Sequence, residues 1–494
     1  MTTLFQSRPM AMGRHGAVSS PHVLASRAAI DVLEAGGNAV DAAVAAAAVA
    51  TVVQPFSSSV GGVGWATVYD ASSRSCEVLH FHGIAPWGLD PAVFRPNAAG
   101  LVDWRALERD GQALLGSLVP GAVAGWAELL RRTGRWPLAR VLEPAITLAT
   151  QGFPVSELLH EMLMVSADRL LRWPASARIF LPAGDVPLPG QLLVQADLGR
   201  TLQAIARNGA AECTVGDTGQ AIAGFFGANG GAISAADLTV YRPSWHPALT
   251  TSYRGRVVHA TGGPLGDVSF ASGLQVLDAL APSSGPSDPD YVDASLRSAD
   301  LIGADRRRFL GPGVGAAELD RLLGPEHTRA LVEQMTSRSR RSNVGVAGPA
   351  GAPARDVEDT ITLAVVDDDG NAVHLMQTVG TLFGTAAVIG NTGFFANSSL
   401  YFAYLGIDGA NRIVPGEGVE QNPCLATVCD VDGNVELVIG SPGGKTRVET
   451  VRQMLANVVD FGFNVQQAVD APRFLLAPDD GSVQFERLYG PVDA

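Results

Sequence analysis

Residues 359–378 read Asp359-Thr360-Ile361-Thr362-Leu363-Ala364-Val365-Val366-Asp367-Asp368-Asp369-Gly370-Asn371-Ala372-Val373-His374-Leu375-Met376-Gln377-Thr378. Two runs rich in β-branched and apolar residues, Thr360 to Val366 and Asn371 to Thr378, flank the turn Asp367-Asp368-Asp369-Gly370, which is the pattern of a β-hairpin. A second hairpin is read at Leu425 to Cys429 and Val435 to Ile439, around Asp430-Val431-Asp432-Gly433-Asn434. Two hairpins in the last third of the chain, with long helices before and after them, predict a layered α/β/β/α sandwich.

Immediately upstream, Arg341 to Asp359 is rich in Gly, Ala, Pro and charge, the composition of a mobile, solvent-exposed tail. It divides the chain into residues 1–359 and 360–494, both expected in one domain. Further upstream, Ser19-Ser20-Pro21-His22 opens a helix that Gly36-Gly37 ends, and Asn38 caps a second helix running to about Val53. Pro55 to Gly64 is a loop, and Trp65 to Tyr69 alternates as a strand does. Residues from about Ala106 to Asp320 read as mainly helical, with punctuation at Val119-Pro120-Gly121 and Gly152-Phe153-Pro154.

Composition narrows the function classes. With 494 residues and 47% hydrophobic content, the chain can bury a large core. A net charge of −14, with no basic run beyond Arg338, Arg340 and Arg341, argues against nucleic acid and anionic membranes as partners. Ala42 to Val53 is too short to cross a bilayer and follows Asp41, so it reads as a buried helix. Cys76, Cys213, Cys424 and Cys429 lack zinc-site spacing and read as free thiols of a reducing compartment. Met1 to Gly16 has no apolar core of a signal peptide, so a cytoplasmic location is expected.

A threonine hydroxyl attacks a carbonyl only when a base takes its proton, and at a chain terminus its own α-amino group is such a base. For Thr360 that requires a cut before it. Taken alone, without any resemblance, the same residue reads merely as a β-branched opener of a strand.

The hairpin Asp359 to Val373 resembles the segment of the γ-glutamyltranspeptidase family in which a nucleophilic threonine opens TTHxSVVDxxGNAV. The resemblance extends along the chain. Ser20-Pro21-His22, Leu24-Ala25-Ser26, Gly36-Gly37-Asn38-Ala39-Val40-Asp41-Ala42-Ala43, Val119-Pro120-Gly121 and Glu143-Pro144-Ala145 are similar to its large-subunit signatures, and Gly440-Ser441-Pro442-Gly443-Gly444 to its oxyanion-hole loop. It implies a four-layer N-terminal-nucleophile hydrolase fold, self-cleavage into two fragments that stay together as a heterodimer, a small-molecule substrate, and neither cofactor nor metal. Thr360 is then the nucleophile, Thr378 its orienting hydroxyl, and Gly443 and Gly444 the oxyanion donors. As plain sequence, the two glycines also suit a strand-to-helix turn.

Departures from the family fall in the acyl pocket. The family's carboxylate-binding arginine corresponds to His82 and its amine-binding aspartate to Phe402; the asparagine beyond the second threonine is Gly380, and the paired serines are Asn422-Pro423. Losing both ion-pair partners disfavours a glutamyl group, because unpaired charges in a closed site are costly. A compact acyl group such as oxalyl is expected instead, cleaved at an amide or an activated C–C bond. Lys445, the one lysine of the chain, is read either as a carboxylate ligand or as a solvent-facing residue at a helix start. His80 and His82 share a strand face, but without a visible third ligand they suit local structure or substrate contact better than a metal. Gly440 to Thr446 lacks the spacing of a phosphate-binding loop. Ordinary γ-glutamyl transfer with rebuilt contacts, and an unprocessed binding protein, are the rival readings.

Overall fold

A computed structural model describes residues 7–263, 265–281, 283–337, 358–406, 409–476 and 482–486. Its two main sheets are built from β1 (Gly16–Ser19), β2 (Val63–Asp70), β3 (Ser75–Phe81), β4 (Ser244–Pro247), β5 (Leu249–Tyr253), β6 (Arg256–Ala260), β7 (Glu358–Asp367), β8 (Ala372–Thr381), β9 (Ala426–Cys429) and β10 (Val435–Ile439). The six-stranded sheet has the order β1-β7-β8-β2-β3-β4 and the four-stranded sheet β10-β9-β6-β5. Neighbours are antiparallel throughout. Helices α1 (Val23–Glu34) and α2 (Ala39–Val53) cover the larger sheet, while α3 (Val268–Asp278), α4 (Pro289–Phe309) and α5 (Arg447–Val459) lie beyond the smaller one. The result is the expected αββα sandwich.

Side-chain alternation explains the layering. Along β7, Ile361, Leu363 and Val365 are buried with Val373 and Leu375 of β8 against the helix layer, each stabilising by roughly 2 kcal/mol. The opposite faces meet the other sheet, where Met376 packs with Trp65 and Leu425. Thr360 and Thr378 therefore point between the sheets. Helix α2 is buried at every position, which its alanines and valines permit, and Asn38 caps it through a capping box.

Asp367, at the hairpin turn, locks the two layers together. One carboxylate oxygen accepts from Ala39 N at 3.0 Å, at the positive end of α2. The other accepts from the backbone N–H groups of Asp369 and Asn371.

The structure corrects two expectations. The stretch read as mainly helical also supplies β4, β5 and β6, whose turn at Arg254 and Gly255 has both residues at positive φ. These strands are short, and the first ends in Pro247, so their periodicity is faint against the helices around them. The expected tail falls for residues 341–357 outside the described residues, but its last two residues, Glu358 and Asp359, already belong to β7. Among the described residues no helix is long and apolar enough to cross a membrane.

Candidate active site

The hairpin is not regular where it matters. Gln377 faces Ile361 and Gly380 faces Asp359, so Thr378 and Val379 together oppose Thr360. Such a bulge re-aims a side chain. Gly380 makes it possible: its φ is +94°, and a Cβ there would lie 2.7 Å from Ser398 Oγ. Its N–H donates to Thr378 Oγ1 at 2.9 Å. Gly380, expected to touch substrate, thus acts on the second threonine.

Thr378 Oγ1 accepts from Thr360 Oγ1 at 3.2 Å and donates to the carbonyl oxygen of Asp359 at 2.9 Å. With the Gly380 N–H, this uses its one donor and both lone pairs. The Thr360 hydroxyl is buried, 3% exposed for the whole residue, beside the carbonyl of its own preceding peptide. That carbonyl is polarised by Thr378.

Asp359 is held at both carboxylate oxygens, by Ser57 Oγ at 2.7 Å and by Thr360 N at 2.7 Å. Burial pushes its carboxyl above the ordinary range, while the Ser57 hydroxyl, the Thr360 N–H and the Arg447 guanidinium oppose the shift.

Arg447, the first residue of α5, escaped the sequence reading. It is fully buried. Nη2 donates to Thr360 Oγ1 at 3.1 Å, and Nη1 donates to the carbonyls of Gln421 at 2.9 Å and Asn422 at 2.8 Å. The available signal was its position, because a helix N-terminus disfavours a cation. Phe402 is buried with its ring centroid 5.9 Å from this guanidinium. Asn422, at φ +49°, donates its N–H to Glu420 Oε1 at 2.6 Å.

Gly443 and Gly444 take φ of +116° and +54°, values that favour glycine. The short turn Gly444–Thr446 packs on β7, and Thr446 returns hydrogen bonds to Gly443 O. At the loop entrance a Cβ on Gly440 would lie 2.3 Å from His374. The loop therefore meets β8 at His374, and the turn that follows it packs on β7. The Lys445 side chain lies outside the described residues. A cavity of about 470 Å³, lined by Phe402, Asn422, Tyr404, Arg306, Val448 and Glu449 among others, opens beside Arg447.

His82 joins a different cluster. Its ring lies 5.4 Å from His80 and 5.6 Å from Trp65, and His80 lies 4.4 Å from His246. His80 is bonded through Nε2 to Gly262 O and His82 through Nδ1 to Gly83 O. Burial holds His80 well below the ordinary range and His82 at about 4. Among the described residues no group of three His, Cys, Asp or Glu side chains is placed to hold a metal ion.

Comparisons with known proteins cover nearly the whole chain. Residues 25–491 match the family model described as gamma-glutamyltranspeptidase. The glutathione hydrolase proenzyme of Escherichia coli K12 is 30% identical over 93% of this chain and 81% of its own length. The acylase ACY 1 proenzyme of Pseudomonas sp. SE83 is 32% identical over 94% of this chain and 83% of its own. The crystal structure of cephalosporin acylase from Bacillus halodurans superposes with a TM-score of 0.83 at 25% identity, covering 98% of this chain and 88% of that one.

Proposed function

We propose, because the chain belongs to the γ-glutamyltranspeptidase family and is an enzyme of the N-terminal-nucleophile type, that Thr360 is its nucleophile and is exposed by a self-made cut between Asp359 and Thr360. The observation that carries this reading is the Thr378 hydroxyl, shared between Thr360 Oγ1 and the Asp359 carbonyl oxygen. In the uncut chain Thr360 Oγ1 attacks the Asp359 carbonyl carbon. The C–N bond breaks, the hydroxyl proton passes to the leaving nitrogen, and water hydrolyses the resulting ester. Residues 1–359 and 360–494 then remain together as a heterodimer, as the proenzyme names of the relatives suggest.

In the mature enzyme the freed α-amino group takes the Oγ1 proton as Thr360 attacks the substrate's acyl carbon. Backbone N–H groups of Gly443 and Gly444 receive the oxyanion, in keeping with their open, positive-φ backbone. Water or an amine resolves the acyl-enzyme. The acyl specificity is non-glutamyl and compact, of oxalyl type: Phe402 stands where the family places an acid, and cephalosporin acylases are among the relatives of similar fold. We also retain a cytoplasmic location, supported by four free thiols.

The test is intact-mass analysis of purified protein, then assay of a γ-glutamyl anilide beside short-chain acyl anilides. Two fragments, the second beginning at Thr360, and preference for the short acyl groups are expected. A new terminus elsewhere, or robust activity in Thr360→Ala protein, overturns the mechanism; robust γ-glutamyl turnover overturns the specificity.

A further inference from the structure

Arg447 combines three properties that a merely structural arginine does not need together. It is fully buried at the N-terminal end of α5, where the helix dipole disfavours its charge. Its Nη1 edge is fixed by two carbonyls, which leaves the orientation of the guanidinium plane determined. Its Nη2 edge meets the hydroxyl of the proposed nucleophile.

We propose that Arg447 binds a carboxylate carried by the acyl half of the substrate. The proposal rests on Thr360 being the nucleophile. Geometry then limits the substrate class. A scissile carbon in attack position lies about 3 Å from Oγ1. A carboxylate oxygen bonded to Nη2 lies about 2.8 Å from that nitrogen, itself 3.1 Å from the same Oγ1. These lengths sum to about 9 Å at most, so the carboxyl group lies on the acyl half itself and close to the scissile carbonyl, a limit that oxalyl, malonyl and succinyl groups all meet. Phe402 and the cavity beside it offer an apolar wall and room for the remainder of the molecule.

The test compares processed wild type, Arg447→Met and Arg447→Lys on 4-nitroanilides of oxalic, malonic, succinic and glutaric half-acids, each against an uncharged acyl group of equal length. In wild type the charged-over-neutral ratio of kcat/KM is expected to exceed about 30-fold for the short acids. Arg447→Met should bring the ratio near unity, while Arg447→Lys keeps part of it. A ratio near unity in wild type, or one that survives in Arg447→Met, overturns the proposal. Equal losses on charged and neutral substrates also overturn it, because they would make the arginine an oxyanion donor.

A second measurement needs neither turnover nor the variants. Malonate is expected to raise the melting temperature of processed wild type at concentrations where acetate does not, and equal effects would count against the proposal. A chain that is not cut before Thr360 sinks the mechanism itself. A chain cut there and dependent on Thr360, with a ratio indifferent to Arg447, sinks only the carboxylate assignment.

Discussion

The hydroxyl of Thr378 donates to the carbonyl oxygen of Asp359 at 2.9 Å. The oxygen of that Thr378 hydroxyl in turn accepts from Thr360 Oγ1 at 3.2 Å. In the uncut chain Thr378 Oγ1 therefore touches both partners of the proposed cleavage at once.

Thr378→Val keeps the volume and removes the hydroxyl, so self-cleavage should slow by roughly 100-fold or more, the usual loss for one oxyanion donor. Thr378→Ser should cleave within about tenfold of wild type. A denaturing-gel time course of freshly purified precursor decides, and normal cleavage of Thr378→Val would contradict the role assigned here.

Gly380→Ala places a Cβ 2.7 Å from Ser398 Oγ on a backbone with φ of +94°. The strain should cost about 2 kcal/mol and displace the N–H that holds Thr378. A lowered melting temperature together with slowed cleavage is expected; loss of stability with normal cleavage would separate the bulge from the chemistry.

Acid should destabilise the fold between pH 6.5 and about 4. Burial lowers His374 from 6.5 to about 3, so in this window the unfolded chain takes up a proton that the folded chain refuses, and stability falls as pH falls. His80 and His82 are lowered by burial in the same direction. Asp267 opposes them: burial raises it from 3.8 to about 6, so below that pH its protonation favours the folded form. Urea unfolding across this range should show His374→Gln with a slope shallower by about 1 kcal/mol per pH unit. An unchanged slope would remove His374 from the account.

Asp367→Ala leaves the Ala39 N–H at the buried start of α2 without its acceptor and loosens the hairpin turn. A loss of about 2 kcal/mol is expected by denaturant titration, whereas Asp368→Ala, at a neighbouring exposed position, should change stability by less than about 0.5 kcal/mol.

Much of this was legible in the chain because it rests on local rules. The hairpin, the Asn38 cap and the positive-φ glycines each follow from residue type and spacing within a few positions. Thr378 emerged from resemblance, but the bulge that aims it depends on Ser398 and Gly380 meeting across the fold. Arg447 was missed for a related reason. Its partners Thr360, Gln421 and Asn422 lie far away in sequence, and an arginine at a helix start reads as solvent-facing until its burial is seen. The Ser57 to Asp359 bond, spanning almost the whole large segment, has no local signature at all.

The shortness of β1 has a consequence for maturation. Its four residues pair only with Ala364 to Asp367, so among the described residues the opening end of β7 is zipped to a single neighbour, through Asp359 to Gly380 and Glu358 to Thr381. Once the peptide before Thr360 is severed, the freed end can peel from one side without unravelling the sheet. The proposed nucleophile then stays held on β7 while the residues before it part from Gly380 and Thr381.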